Sequence, residues 1–277
     1  MRVKNAIHER QSTRTFKHDD LTADEIKQIS SVVSHVSEMV GPFQHQFDFT
    51  FRLNTNRTPG GQKIGTYGLL RNVPAFVGGV ATNERFSLID FGFVFEHLIL
   101  ELTKAGFDTC WLGGTFRRTH YQKQLGDNEV IPAISPVGHR AKHRTLVDQL
   151  LRSGAQSIRR KDFAELFHDA ANGHLVLDYS NPIIESLALV RRGPSASNRQ
   201  PWRASVDGDT VRWYLARTPN YARLLKYDIQ LLDIGIALAH FTIGLRSNHV
   251  AWTIEVEDGK ALRDDWEYVC TIHVGKS

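Results

Sequence analysis

One stretch carries side chains whose types and spacing suit chemistry. Gly193-Pro194-Ser195-Ala196-Ser197-Asn198-Arg199-Gln200-Pro201-Trp202 sets hydroxyls and amides between two prolines and ends on an indole. Proline lacks a backbone donor, so neither Pro194 nor Pro201 fits inside a helix or a central strand. Small polar groups beside an aromatic suit the edge of a planar polar ligand, with Trp202 tying the loop to the core. The same residue types also build an ordinary helix-to-strand turn.

Other chemistries find little support. The chain has no His-Glu-x-x-His helix, no Cys-x-x-Cys, no Gly-x-Ser-x-Gly elbow and no P-loop. Its 13 histidines are scattered, and His139 and His143 adjoin basic residues, poor company for a metal. No metal site and no acid–base catalytic side chain is expected. The two cysteines, Cys110 and Cys270, lie far apart, as in a reducing compartment without a disulfide framework. The first ten residues carry no apolar stretch of the secretory kind, and Phe91 to Leu102 is interrupted by Glu96, His97 and Glu101. A cytoplasmic protein without membrane partners is the expectation. The formal charge of +4 fits a phosphate-bearing ligand. The basic clusters at 139–144 and 159–161 do not alternate with aromatics, so nucleic acid is not an expected partner.

These residues need elements to hold them. The 277-residue chain, with 41% hydrophobic residues, can bury one large core or two ordinary ones. Residues 3–10 predict a short helix. Thr22 and Glu25 form a capping-box signature ahead of an apolar stripe at Ile26, Ile29, Val32 and Val33. Strands are predicted over 47–53, 75–80, 109–114 and 130–137, with helices over 66–70, 84–105 and 146–151. Residues 152–168 look like a polar connector. Beyond it, Asn181-Pro182 opens a helix to about Arg192. Asp207-Gly208-Asp209 turns a hairpin between 202–206 and 211–216. A long helix over 224–247 and strands over 250–256 and 268–274 complete the chain.

The long helix occurs twice. Asp90, Gly92 and His97 recur as Asp233, Gly235 and His240, each pair 143 residues apart, and Gly41-Pro42 recurs as Gly193-Pro194. Two repeats, 1–168 and 169–277, are the expected division. A duplication of this kind suggests a homodimer fused into one chain, and a two-fold dimer carries two equivalent ligand sites. Here the halves differ. The first has Arg10 to Arg14 and Trp111-Leu112-Gly113-Gly114 but Gly41 to Gln46 in place of the Pro-Ser-Ala-Ser-Asn loop. The second has that loop but Ala251 to Ile254 in place of the glycines. The pieces add up to one complete site.

Arg10-x-Ser12-x-Arg14-x-Phe16, the Pro194-Ser195-x-x-Asn198-x-Gln200-Pro201-Trp202 loop, Trp111 to Gly114 and Pro136-Val137-Gly138 resemble the motifs of FMN-dependent nitroreductases. The tandem chain resembles their single-chain, pseudo-dimeric subgroup, along nearly its whole length. The resemblance implies an α+β fold, an α/β/α sandwich on a largely antiparallel sheet, with FMN at the interface of the two repeats and the chain a monomer with an internal pseudo-two-fold. It implies that Arg10, Gln11 and Ser12 meet the phosphate and ribityl chain, for which guanidinium and hydroxyl donors are suited. Arg14 approaches the N1–C2=O edge, Gly113 and Gly114 offer backbone N–H groups near N5 and O4, and Pro194, Ser195, Ala196 and Asn198 close the site. Arg160 becomes a second phosphate contact, although Asp162 stands where the family usually has proline. Tyr67 is a weaker candidate at the flavin edge. Asp90, Gly92 and His97 are read as helix packing.

The implied activity is hydride transfer from NAD(P)H through FMN to a small acceptor such as a nitroaromatic or a quinone. The alternatives are an FMN-binding carrier or sensor without turnover, and a flavin-free remnant kept for an interaction surface.

Overall fold

In the computed structural model the described residues are 3–55, 70–113, 125–141, 159–171, 173–219, 221, 225–257 and 263–275. The expected helices over 66–70 and 146–151 fall largely or wholly outside them, as do Tyr67 and Gly114.

Helix α1 (Val3–Glu9) is short. Helix α2 (Ala23–Ser37) starts at the expected capping box: the Glu25 N–H donates to Thr22 Oγ1 at 3.3 Å and the Thr22 N–H donates to the Glu25 carboxylate at 2.8 Å. Its Ile29, Val33 and Val36 are buried. The first sheet runs β1 (Thr50–Leu53), β2 (Ala75–Gly78), β7 (Ala133–Gly138), β4 (Asp108–Thr109), with β5 (Leu112–Gly113) also on β7; all its pairs are antiparallel. Strands β3 (Ala81–Thr82) and β6 (Glu129–Val130) form a separate pair.

At the junction of the two repeats α4 (Phe163–Leu166) leads into β8 (Phe167–Asp169), and in the second half α5 (Pro182–Val190) is capped by Asn181 Oδ1, which accepts from the Ile183 N–H at 2.8 Å. The sheet order is β9 (Trp202–Asp207), β10 (Thr210–Ala216), β12 (Trp266–Val274), β11 (Trp252–Glu255), again antiparallel. It repeats the order of the first sheet strand for strand. Strand β8 is the exception, adding in parallel to the free edge of β9. The polar character of 152–168 hid this: Leu166 and Phe167 are fully buried, one ending a helix and the other starting a strand where a connector was expected.

At the centre lie α3 (Arg85–Lys104) and α6 (Ile229–Ser247). Both are apolar on nearly every face, the pattern of helices buried all round. Helix α6 begins five residues later than the apolar pattern suggests, because Asp228 Oδ1 caps it by accepting from the Gln230 N–H at 3.1 Å. By length and composition alone α6 could cross a membrane, but 94% of its apolar window is buried inside the protein. A methyl group on Gly92 would lie 2.3 Å from the Leu232 carbonyl oxygen, and one on Gly235 would lie 2.0 Å from the Ile89 carbonyl oxygen. Each glycine thus meets the residue three positions before the other, which is the reciprocity of a two-fold axis. Both sheets and both helices share one continuous core.

Candidate functional site

The N-terminal strap is held by its backbone. After α1, the Arg10 N–H donates to Ala6 O at 2.8 Å. The chain then runs extended between two strand ends: Thr13 N–H to Thr109 O at 2.9 Å, Arg71 N–H to Arg14 O at 2.9 Å, Phe16 N–H to Arg71 O at 3.0 Å, and Lys17 N–H to His139 O at 2.8 Å. Ser12 bridges Thr109 in parallel. Thr13 and Phe16 turn into the core and leave Ser12 and Arg14 half-buried. Gln11 Oε1 accepts from Arg140 Nη1 at 3.2 Å, beside the Arg140–Asp108 ion pair.

The loop after α5 is wound tightly. Ser197, Asn198 and Gln200 have φ of 47°, 55° and 49°, three left-handed residues within four positions and none a glycine. Such conformations are costly and persist where surrounding bonds over-determine them. The bonds are present. Ser195 Oγ accepts from the Gln200 N–H at 2.9 Å, and Asn198 N–H donates to Ser195 O at 2.9 Å. Ala196 N–H donates to Asp233 Oδ1 at 2.8 Å, and the buried Gln200 Oε1 accepts from Lys161 N–H at 3.0 Å. Trp202 is fully buried, as expected of the loop's anchor. Pro194, Ser195, Ala196 and Asn198 remain half-buried.

Arg160 is bonded to this loop. Its Nη1 donates to Asn198 Oδ1 at 2.8 Å, while Asn198 Nδ2 donates to Arg159 O at 2.7 Å. Burial first, and then the charges of Arg10, Arg191 and Arg192, bring the Arg160 guanidinium down to about 10. The Arg10 charge is therefore felt at Arg160, which itself reaches the second half through Asn198. Arg10 Nη1 is itself buried and has no hydrogen-bond partner among the described residues. Crowded cations with a buried donor left over are what a bound dianion would satisfy.

Gly113 closes the other side. A methyl group there would lie 2.6 Å from Ile229 Cδ1, in the first turn of α6. Tyr227 Oη donates to Pro132 O at 2.6 Å and pins that turn to the first half. One turn further along α6, Asp233 reaches Ala196. A series of neighbours, called the ring below, thus runs from Gly113 through Ile229, Asp233, Ala196, Asn198 and Arg160 toward Arg10, drawing on both halves. Arg14 lies on the strap next to Thr13. A cleft of about 440 Å³ opens elsewhere, against Asp178, Asp209 and Gly275; it shares no residue with the ring, and its two carboxylates would repel a phosphate. Glu255, Glu257 and His273 bring metal-ligating atoms within 4.8 Å of one another on the second sheet, also apart from the ring.

Asp90 and Asp233 correct one expectation, because both cap loops rather than only pack helices. Asp90 accepts from Phe43 N–H at 3.0 Å, His45 N–H at 3.0 Å and His45 Nδ1 at 2.8 Å. Among the described residues Asp233 accepts from Ala196 alone, and its Oδ2 is buried without a partner there. Burial, and secondarily the Asp228 carboxylate, push the Asp233 carboxyl well above the usual range. A raised folded-state value means stability that is full below the unfolded value near 4 and is lost as pH rises toward the folded value. Asp233→Asn should therefore match the parent near pH 4 in urea unfolding and exceed it at pH 7. An unchanged difference between the two pH values would refute this. The sequence signal was available: an aspartate recurring inside an otherwise apolar helix, directly after a Gly-Pro loop in space.

The family model described as "Putative TM nitroreductase" matches residues 2–245. The chain belongs to this nitroreductase family, and its architecture is the family's α+β fold in two diverged repeats. A Thermotoga maritima protein described as a putative nitroreductase superposes with a TM-score of 0.62 at 18% identity, covering 100% of this chain and 95% of that one. A nitroreductase family protein from Clostridium novyi NT gives a TM-score of 0.39 at 19% identity, over 51% of this chain and 87% of its own. A Bacteroides fragilis nitroreductase with bound FMN gives 0.38 at 16%, over 52% and 91%. No curated protein matches the sequence.

Proposed function

We propose that the chain is an FMN-dependent oxidoreductase, with one FMN held in the seam between a first repeat, 1–168, and a second, 169–277. The observation that carries this reading is the Arg160–Asn198 hydrogen bond from one repeat to the other, with the Arg10 charge felt at Arg160 and Arg10 Nη1 buried without a hydrogen-bond partner among the described residues. In this reading Arg10 and Arg160 take the phosphate as guanidinium donors, with Gln11 and Ser12 beside them along the ribityl chain. The Gly113 backbone can come close to the ring because it carries no side chain, and Gly114, the next residue in sequence, is proposed for the same role. Pro194, Ser195, Ala196 and Asn198 cover the ring from the second repeat. Arg14 supplies a positive charge beside it, which favours the reduced, anionic state. FMN, when bound, accepts a hydride from NAD(P)H and passes it to an electron-poor acceptor such as a nitroaromatic or a quinone. The chain's own work is then to bind, orient and exclude water, with no acid–base side chain required, in a reducing cytoplasm.

The test is anaerobic mixing of the FMN-loaded protein with NADH or NADPH. Loss of the flavin absorbance within seconds is expected. Protein that binds FMN but keeps its colour would instead be a carrier or sensor, and protein that binds none would remove the flavin reading altogether.

A further inference from the structure

Glu96 reaches across the seam. It leaves α3 in the first half, and its Oε1 meets Nε2 of His240, on α6 in the second half, at 2.8 Å. Both side chains are sealed from solvent, at 0% and 1% exposure. His240 Nδ1 lies 2.9 Å from the Leu189 carbonyl oxygen at the end of α5. A carbonyl can only accept, so Nδ1 carries the hydrogen of that contact. This fixes the ring and turns Nε2 toward the carboxyl group. The other oxygen of Glu96 accepts from Trp111 Nε1 at 2.7 Å. Trp111 directly precedes β5, and its indole stands edge-on to Phe95 with centroids 4.7 Å apart. An orienting chain therefore runs from Leu189 through His240 and Glu96 to Trp111, and stops two residues short of Gly113.

The duplication supplies an internal comparison. Val137-Gly138 recurs as Val274-Gly275, and Thr109 sits opposite Val137 as Trp252 sits opposite Val274, which sets Thr109 against Trp252, 143 residues on like the helices. At that offset Glu96, His240 and Trp111 correspond to Ala239, His97 and Ile254. The imidazole has survived, but the carboxyl group and the indole have not. His97 is buried, its Nε2 has no partner among the described residues, and burial lowers it to about 3. The bonded triad stands only on the side of Arg10, Gly113 and the Pro194–Asn198 loop. A triad needed merely to hold α3 against α6 would serve equally on both sides of the two-fold.

We propose that Glu96, with His240 behind it, is a positioning residue that holds Trp111 and so sets the Leu112–Gly113 strand, presenting the Gly113 backbone to the reactive edge of the cofactor. This rests on the FMN reading above. A buried hydrogen-bonded network of this kind locks the groups it ends on.

Three variants and one control test it. Trp111→Phe keeps a ring and deletes the indole N–H. Glu96→Ala deletes the acceptor. Glu96→Gln keeps an acceptor for Trp111 and a donor for His240 Nε2. His97→Leu alters the related position without touching the triad. The readouts are FMN affinity of the apoprotein by fluorescence titration, flavin midpoint potential, and rate of flavin reduction. For Trp111→Phe and Glu96→Ala the potential should move to a more negative value and reduction should slow about tenfold, since small misplacements are costly. FMN affinity, anchored at the phosphate, should hardly change. Glu96→Gln should recover most of the loss, and His97→Leu should leave all three cofactor readouts alone. Should Glu96→Ala fail to fold, Trp111→Phe decides: a wild-type potential and rate in that variant overturn the proposal. Failure of the parent protein to bind FMN would instead remove the flavin reading on which it rests.

Discussion

Gly235→Ala lowers the stability of the protein by about 3 kcal/mol, the upper part of the range for overpacking a tight core. Its new methyl group would lie 2.0 Å from the Ile89 carbonyl oxygen and 2.5 Å from the Phe93 nitrogen. Both are backbone atoms inside α3 and neither can swing aside. The helices must separate, and the core they share with both sheets must follow. Gly92→Ala should cost a similar amount by the same contact reversed, 2.3 Å from Leu232 O. Gly113→Ala is the contrast. There the nearest atom, at 2.6 Å, is the tip of the Ile229 side chain, which can change rotamer. Its stability cost should stay near about 1 kcal/mol. Urea unfolding of the three variants checks the order. Equal costs for Gly113→Ala and Gly235→Ala would mean that the helix crossing is looser than described.

Arg10→Ala weakens FMN binding about 10- to 100-fold, the loss expected when one charged hydrogen-bonding group leaves a phosphate. The apoprotein should lose no stability from the same change. Arg10 opposes the charge on Arg160, which burial already disfavours, and its Nη1 gives nothing back through a protein hydrogen bond. Affinity and stability thus part company at this residue, as they do where a site is built for a ligand at the expense of the empty fold. Asn198→Ala should also weaken FMN, but with some loss of stability, because Asn198 holds Arg160 at 2.8 Å and Arg159 O at 2.7 Å. Calorimetric titration with FMN beside thermal unfolding of each apoprotein separates the two effects. An Arg10→Ala protein that binds FMN like its parent would refute the assignment.

The duplication was legible because it rests on residue types that packing demands. Gly92 and Gly235 allow two backbones to meet, and Asp90 and Asp233 cap the loops beside them, so all four recur at one spacing. Strand β8 was not legible: its apolar residues are few, and its ladder depends on an edge of β9 that lies far away in sequence. The start of α6 was misread because Asp228 ends the reach of an apolar pattern that runs on before it. At the site, the Pro-Ser-Ala-Ser-Asn loop stands out by composition, and the strap by its resemblance to the nitroreductase motifs. Glu96, His240 and Trp111 do not. A carboxylate, an imidazole and an indole spread over three elements have no common period, and only the crossing of α3 and α6 brings them together.

The most direct test of one cofactor in one seam is the stoichiometry of FMN binding to the apoprotein. Calorimetric or fluorescence titration should reach its end point at one FMN per chain, since the proposed site takes Arg10, Arg160 and Gly113 from one repeat and Asn198 from the other. An end point at two per chain, or no binding at all, would contradict the account.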